Sequence, residues 1–235
     1  MRIWLLLLLL LSQLGLAQEK NAMEKQQIVN TVGDEYNQGV VQTFNERYEG
    51  VKGSPFLYDQ WIRGRITVRN GHTFENLKVK YDLYHDEIRT KRQDGAIVIP
   101  EKSSVQWFTL DSTTTRVRRF VRVDYLENYR KFPYNHFAEV LYEGKSTLLA
   151  LYNKSLIRAD YRGAYNANRP YDKFSEVAIS YYLIAPNGKV SLLKPNVKYL
   201  RRLLKNKDEK VDELLTNGTF EKPQDLVQLI TLYDQ

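Results

Sequence analysis

The feature that most constrains the fold is a pair of alternating segments on either side of Asn70-Gly71. Residues 62–68 and 77–83 each alternate apolar or small side chains with charged or hydroxyl side chains. A period of two is typical of strands that place one face on a core and the other in solvent. Asn-Gly between two such runs is the strongest short hairpin signal. The pattern therefore predicts an antiparallel hairpin that turns at Asn70-Gly71.

Strand-forming residues continue over most of the chain. Valine, isoleucine, tyrosine, phenylalanine and threonine are frequent from Phe56 to about Lys194, and polar turns interrupt them at short intervals. Further strands are predicted at Glu87 to Arg92, Ala96 to Ile99, Val105 to Leu110 and Arg116 to Asp124. Two later segments, 140–149 and 183–193, share the order strand, glycine turn, lysine, strand. We interpret them as two hairpins of one meander.

The last forty residues change to a helical pattern. Apolar residues recur at helical spacing in three short segments, around 196–204, 208–218 and 223–233. Asp208 is the predicted N-cap of the second segment, and Pro223 occupies a first-turn position in the third. The fold class expected is therefore α+β. It comprises a mostly antiparallel sheet, or a partly closed barrel or sandwich, followed by a small C-terminal helical subdomain.

The N-terminus predicts export. Met1-Arg2 is followed by an apolar run from Trp4 to Leu11 and by small residues at Gly15 and Ala17. This is the layout of a cleavable signal peptide, with cleavage predicted after Ala17. No later apolar run approaches the roughly twenty residues that a membrane span needs, so no span is expected after signal removal. The predicted location is periplasmic or secreted.

Four segments follow from these patterns. Residues 1–17 are the signal peptide, and 18–52 form a polar leader that is either partly helical or disordered. Residues 53–194 form the β-rich domain, and 195–235 form the helical subdomain. Gly50 to Pro55 is interpreted as a linker at the boundary between the leader and the β-rich domain.

The composition of the chain excludes several kinds of functional site. The chain of 235 residues has no cysteine, which excludes disulfides, thiolate metal sites, a cysteine nucleophile and a lipobox anchor. Its formal charge is +7, from 35 basic and 28 acidic residues. Because the two signs are interspersed, specific nucleic-acid binding is not expected. The possible partners are an envelope protein, a glycan or a lipid.

Catalytic motifs are absent from the sequence. No G-x-S-x-G, P-loop or G-x-G-x-x-G occurs, and the three histidines, His72, His85 and His136, show no short metal-ligand spacing. His85-Asp86-Glu87 places an imidazole beside two carboxylates. These residues either form a site for a divalent cation or a general base, or they form a polar bend. The sequence predicts no catalytic residue, no metal and no cofactor.

The best binding candidate is a polar loop between the two later hairpins. Arginine and tyrosine side chains there can stack on sugars or anchor a protein partner. The alternative is that tyrosine simply suits strands. The candidate binding residues are Arg158, Tyr161, Arg162, Tyr165, Arg169 and Tyr171.

Three segments together resemble a known group of sequences. They are Gly53 to Leu57, Phe74 to Glu87, and a C-terminal combination of Tyr181-Tyr182-Leu183, Asn187-Gly188-Lys189 and the lysine-rich tail. This combination is similar to a family of uncharacterised exported proteins common in Bacteroidota, over residues 53–235. The resemblance implies an envelope location and a β-then-α layout. It implies no activity and no site residues, because the family has no established function.

The function expected from these patterns is that of a non-enzymatic cell-envelope protein that binds a partner. Export, many strands and aromatic enrichment favour it, together with the absence of a catalytic motif. Two alternatives remain open. The first is a hydrolase that acts on an envelope glycan or lipid, and the second is a carrier with a ligand cavity inside the sheet.

Overall fold

The computed structural model describes residues 40–42, 48–92, 94–111, 117–125, 136–160, 171–204 and 209–235, with the backbone alone at 40–42 and 125. The predicted signal peptide, most of the predicted leader and the predicted N-cap Asp208 lie outside the described residues. Within these ranges, no helix is long and apolar enough to cross a membrane.

Thirteen strands, three α-helices and two short 3-10 helices, Lys102–Ser104 and Val123–Tyr125, make up the described fold. The strands are β1 Val40–Gln42, β2 Ile62–Val68, β3 Thr73–Asp82, β4 Glu87–Lys91, β5 Ile97–Ile99, β6 Val105–Asp111, β7 Val117–Arg122, β8 Phe137–Glu143, β9 Thr147–Asn153, β10 Leu156–Ile157, β11 Lys173–Phe174, β12 Ala178–Ile184 and β13 Val190–Leu193. The helices are α1 Val197–Leu204, α2 Glu209–Asn217 and α3 Pro223–Tyr233. The predicted α+β class is confirmed.

Eleven strands pair in one antiparallel sheet, in the order β1-β5-β4-β3-β2-β6-β7-β8-β9-β12-β13. Strands β2 to β5 form a meander in one direction. The chain then returns, and β6 pairs with the free side of β2. The remaining strands extend the sheet the other way, and no pairing joins its two ends in the described part of the chain. The sheet is therefore open, and β10 with β11 forms a separate two-stranded ribbon.

The predicted hairpin at Asn70-Gly71 is present between β2 and β3. Its loop spans residues 69–72, because the amide of Val68 donates to the carbonyl of His72 at 3.0 Å. Gly71 has a φ of 85°, a conformation that glycine adopts without a side-chain clash. His72 is exposed, as expected for a turn residue.

A second glycine allows β2 to lie between β3 and β6. Gly64 pairs with Leu77 on one side and Leu110 on the other. A Cβ atom at Gly64 would lie 2.1 Å from the carbonyl oxygen of Thr109, far inside contact distance. Because that oxygen belongs to the backbone, no side-chain movement could relieve the clash. Any other residue at position 64 would push β2 and β6 apart.

Aromatic rings fill the centre of the inner sheet face. The rings of Phe108 and Phe120 stack with centroids 4.8 Å apart, on neighbouring strands where the two residues are directly paired. Phe137 and Tyr81 meet Phe108 edge-on at 5.1 and 5.2 Å. These are the geometries that aromatic pairs prefer, and rings of this size dominate core energetics. All four residues are at most 1 % exposed.

The helices cover part of this core, and α3 is joined to the sheet by a buried hydrogen-bonded corner. The apolar side chains of Leu200, Leu226 and Leu229 are fully buried in the same cluster as the aromatic rings. Just after α3, the carboxylate of Asp234 accepts hydrogen bonds from the amide and the hydroxyl of Ser146, both at 2.7 Å. The three helices lie where the sequence predicted them, because their apolar spacing matches the buried positions.

Helix α1 also lies against the last strand of the sheet. The hydroxyl of Tyr199 donates to the carbonyl of Leu192 in β13 at 2.5 Å. The side chain of Asn196 caps the helix by accepting a hydrogen bond from the amide of Tyr199 at 3.2 Å. This arrangement holds α1 beside β13.

The segment predicted as a linker is instead packed against the sheet. The amide of Lys52 donates to the carbonyl of Asp172 at 2.9 Å, and the carbonyl of Pro55 accepts from the amide of Leu83 at 2.9 Å. The side chain of Lys154 donates to the carbonyl of Ser54 at 2.7 Å. Backbone hydrogen bonds on both sides give this segment a fixed path, which its Gly-Ser-Pro composition did not indicate. In the predicted leader, residues 40–42 form a strand beside β5.

Candidate functional site

The predicted binding loop is only partly within the described residues, and the part that is described is engaged internally. Arg158 is exposed but donates to the carboxylate of Asp172 at 2.7 Å. The amide of Ala159 donates to the same carboxylate, and this bond and the guanidinium lower the pKa of Asp172. The ammonium of Lys52 lies 3.5 Å from the ring centre of Tyr171. The other predicted residues, Tyr161, Arg162, Tyr165 and Arg169, lie outside the described residues.

The predicted triplet His85-Asp86-Glu87 does not converge into one site. Residues 83–86 form the turn between β3 and β4, and Asp86 takes a left-handed conformation with a φ of 55°. This conformation gives Asp86 a different set of partners from its neighbours. His85 and Glu87 lie near Asp82, whereas Asp86 contacts Lys102 and His136. The turn thus separates the three residues into two clusters.

The first cluster is centred on the buried carboxylate of Asp82. One oxygen of Asp82 accepts hydrogen bonds from the amides of Tyr84 and His85, at 3.0 and 3.1 Å, and so shapes the turn. The other oxygen accepts from Arg89 at 2.9 Å and from the hydroxyl of Tyr48. Both Asp82 and Arg89 are at most 1 % exposed. A buried charge requires such a partner, so the primary role of this pair is structural.

This cluster has the spacing of a metal site but not the charge. Ligand atoms of Asp82, His85 and Glu87 lie within 4.8 Å of one another. However, the guanidinium of Arg89 already neutralises Asp82, and the Tyr48 hydroxyl lies 2.6 Å from Nδ1 of His85. A divalent cation would have to displace Tyr48 and approach Arg89. The residues present therefore fit an internal ion pair better than a metal ion.

The second cluster surrounds the buried carboxylate of Asp86. This carboxylate accepts hydrogen bonds from the hydroxyl of Tyr81 at 2.5 Å and from the amide of Phe137 at 3.3 Å. Its other oxygen forms an ion pair with Lys102 and lies 3.5 Å from Nδ1 of His136. Three segments far apart in the sequence meet here: the β3–β4 turn, the residues before β6 and the start of β8.

The electrostatics of the second cluster keep His136 neutral. Burial lowers the pKa of His136 from its usual 6.5; the charge of Asp86 opposes the shift and that of Lys102 adds to it. Burial, followed by the charge of Asp86, raises the pKa of Tyr81 well above 10, so Tyr81 remains a donor. A neutral imidazole beside a buried carboxylate can accept a proton, which is the chemistry of a general base.

A third ionic group lies on the inner face of the sheet, and the sequence analysis missed it. The guanidinium of Arg118 donates two hydrogen bonds to Glu139, at 3.0 and 2.7 Å. The hydroxyl of Tyr152 donates to the same carboxylate at 2.5 Å, and Arg118 donates to the hydroxyl of Tyr58 at 2.7 Å. Burial and then the charge of Glu139 raise the pKa of Tyr152. The signal in the sequence was the period of two along β7, which places Arg118 on the same face of the sheet as the buried Phe120.

The surface of α1 carries a charged site that is open to solvent. A groove of about 590 Å³ is lined by Asn196, Val197, Lys198, Arg201 and Arg202. None of these lining residues is acidic, and the three cationic side chains are exposed. The sequence showed a locally dense basic stretch at 200–205, without indicating that part of it lines a concave surface.

The three cations of this groove differ in their partners. Arg201 donates to the carboxylate of Asp212 at 3.1 Å and to the hydroxyl of Thr216 at 3.0 Å. Arg202 lies 5.3 Å from the ring centre of Tyr199. In the described ranges, no carboxylate pairs with Arg202 or Lys198. The groove therefore carries two positive charges without an acidic partner in those ranges.

Comparison with known protein families, with curated proteins and with solved structures finds no match for this chain. Function is therefore inferred from the three ionic clusters and the groove. Two of these clusters enclose a buried ion pair, and the third joins a buried carboxylate to partly exposed partners. The groove differs from all three because its charges face solvent.

Proposed function

We propose that the protein is a non-enzymatic cell-envelope protein that binds a partner of the envelope, through the groove on α1. The observation that carries this proposal is the charge of the groove, where Lys198 and Arg202 face solvent without a carboxylate partner in the described chain. Charged side chains placed together on a concave surface attract a complementary group and orient it.

The buried acids support a binding protein over an enzyme. Asp82 and Glu139, the most buried acids of their clusters, are each paired with an arginine at 2.9 Å or less. A carboxylate held in this way stabilises the fold, and it has no oxygen free to accept a proton from a substrate. These two residues therefore serve the architecture of the sheet.

Export rests on the N-terminal pattern and on the resemblance to exported proteins of Bacteroidota. The expected product in a bacterial envelope begins at Gln18, after cleavage behind Ala17. Mass spectrometry of the protein recovered from the periplasmic or secreted fraction measures this directly. A product that keeps residues 1–17 and remains in the cytoplasm would contradict the proposed location.

Affinity capture tests the binding function. The full chain, exported by its own signal, is immobilised and incubated with an envelope extract. The groove variant Lys198→Gln/Arg202→Gln is treated in the same way, and Lys189→Gln/Arg63→Gln is its charge-matched control. The expected result is a partner retained by the wild type and by the control and lost by the groove variant. Failure to retain any envelope component, together with turnover of an envelope substrate, would overturn the proposal in favour of an enzyme.

The second candidate is a hydrolase that acts on an envelope glycan or lipid, and the His136–Asp86 pair favours it. Nδ1 of His136 lies 3.5 Å from the buried carboxylate, and the lowered pKa keeps the imidazole neutral. This arrangement could activate a water molecule as a general base does. Hydrolysis of envelope glycan fragments that is lost in His136→Gln but kept in the turn variant His72→Gln would establish this function.

A carrier with an interior cavity has less support. The stacked pair Phe108–Phe120, with Tyr81 and Phe137 packed on it, fills the centre of the inner sheet face. A ligand cavity at that position would require these rings to move apart.

A further inference from the structure

We propose that the groove on α1 binds a phosphate group carried by an envelope ligand. This inference rests on the proposed binding function and names the chemistry of the same site. Among the described residues, the groove is lined by three cations and no acid, and Asp212 compensates one of the three. Two positive charges remain, and a phosphate monoester carries about two negative charges at neutral pH.

The spacing of the cations supports a ligand for them. Lys198 and Arg202 are four residues apart on one helix, so the two like charges share a face and repel each other. A helix that needed only to cover the core would gain stability from an acid at either position. A dianion bound between the two side chains removes this repulsion and pairs both charges at once.

Arg201 is held in place before any ligand arrives. Its guanidinium bonds to both Asp212 and Thr216, which lie one turn apart on α2. A side chain already fixed by two contacts loses less conformational freedom when it makes a third. The remaining N–H groups of a guanidinium form a planar fork that matches the oxygens of phosphate.

Two competing ligand chemistries fit less well. A carboxylate brings one negative charge, which would leave one of the two cations uncompensated. An anionic membrane surface is typically bound by clusters of about four or more basic residues, whereas the described lining of the groove has three. A phosphate that projects from a small molecule or a glycan can enter the groove and contact Lys198 and Arg202 together.

The test is a titration of the full exported chain with inorganic phosphate, phenyl phosphate and acetate, at constant ionic strength, followed by backbone amide shifts of α1. Phosphate and phenyl phosphate should bind about tenfold more tightly than acetate. Lys198→Gln and Arg202→Gln should each weaken phosphate binding about tenfold, and the double variant should abolish it. Binding should also weaken below about pH 6, where phosphate takes up a proton.

Two controls make the result specific. Lys189→Gln and Arg63→Gln each remove one exposed positive charge elsewhere and should leave phosphate binding within about twofold of wild type. Phosphate binding no tighter than that of acetate, or equal binding by the double variant, would overturn the inference. So would adsorption to phosphatidylglycerol vesicles, lost in the double variant, in a protein that does not bind phosphate.

The outcome separates this inference from the proposed function. If wild type captures an envelope partner that the double variant Lys198→Gln/Arg202→Gln loses, but phosphate binds no tighter than acetate, the phosphate site is wrong and the binding function stands. If wild type binds phosphate but retains no envelope partner and turns over a substrate, the binding function fails and the phosphate site stands as a site of that enzyme.

Discussion

The arginines of β7 and α1 carry the same group in opposite surroundings. Arg118 in β7 is 16 % exposed and bonds to Glu139 through two nitrogens. Arg202 in α1 is exposed and has only the ring of Tyr199 beside it in the described chain. The guanidinium of Arg118 is paired within the fold, whereas that of Arg202 remains available to a ligand.

The difference follows from the cost of removing a charge from water. Inside the sheet, an unpaired guanidinium would lose several kcal/mol of hydration, so Glu139 and the hydroxyl of Tyr58 accept hydrogen bonds from Arg118. On α1, water solvates the charge and an unpaired cation costs little. A paired buried arginine is thus evidence about architecture, and an unpaired exposed one is evidence about recognition.

The largest expected effect comes from breaking the inner pair. Glu139→Leu should lower the free energy of unfolding by about 3 kcal/mol, because it leaves Arg118 without its carboxylate in a desolvated position. Urea denaturation measures this loss. The matched control is Glu143→Gln, which breaks the exposed pair with Arg119 and should cost less than about 0.5 kcal/mol.

A double variant sharpens the same point. Arg118→Met/Glu139→Leu removes both charges and should recover most of the stability lost in Glu139→Leu, since no unpaired buried charge remains. If the two losses simply added, Arg118 and Glu139 would not act as a pair.

The second effect concerns the corner between sheet and helices. Asp234→Asn should destabilise the protein by about 2 kcal/mol, because it weakens two charge-assisted hydrogen bonds to Ser146 in a buried place. Thermal unfolding followed by circular dichroism measures the change. Asp225→Asn, which weakens one exposed bond to the amide of Lys222, is the control and should have a smaller effect. Equal losses would show that burial does not govern these bonds.

The third effect depends on pH and involves His136. Its pKa is lowered in the folded state, so the unfolded state binds the proton more readily. The contribution of the neutral His136 to stability is complete above about pH 6.5, the pKa of a histidine in the unfolded state. It is lost as the pH falls from there through the lower pKa of His136 in the folded state. The stability difference between wild type and His136→Gln should be constant above pH 7 and shrink below pH 6.5. A difference that grows on acidification would contradict the lowered pKa.

The smallest expected change is an increase in the free energy of unfolding rather than a loss. Lys198→Gln removes a like charge four residues from Arg202 and should stabilise the protein by about 0.2–0.5 kcal/mol. The control Lys189→Gln, in the turn between β12 and β13, should be neutral. Chemical denaturation at low salt measures both. A loss of stability in Lys198→Gln would mean that the helix uses this lysine for its own folding.

Local patterns predicted much of this fold. The alternation around Asn70-Gly71 indicated β2 and β3, and the spacing of Leu200, Leu226 and Leu229 indicated helices with one buried face, because both signals depend only on neighbouring residues. The return of β6 to the free side of β2 depends on contacts between residues far apart in the chain. No local period encodes such a contact.

The sites were harder to predict for the same reason. His85, Asp86 and Glu87 are adjacent in the sequence, but a left-handed backbone at Asp86 gives them separate partners. The residues that contact Asp86 include His136, fifty residues later, which only the tertiary fold brings near. The groove on α1 needs both a helix and a concave surface, and a sequence indicates the first but not the second.

The contact between Tyr199 and β13 affects how readily the edge of this sheet can pair with another copy of the chain. A sheet that ends in an open strand invites another chain to continue it, and repetition of that step produces fibrils. Here the carbonyl of Leu192 is already bonded to the hydroxyl of Tyr199, and α1 stands beside that edge. Tyr199 thus occupies one of the hydrogen-bonding positions along this edge, which makes the edge a poorer template for a second copy of the chain.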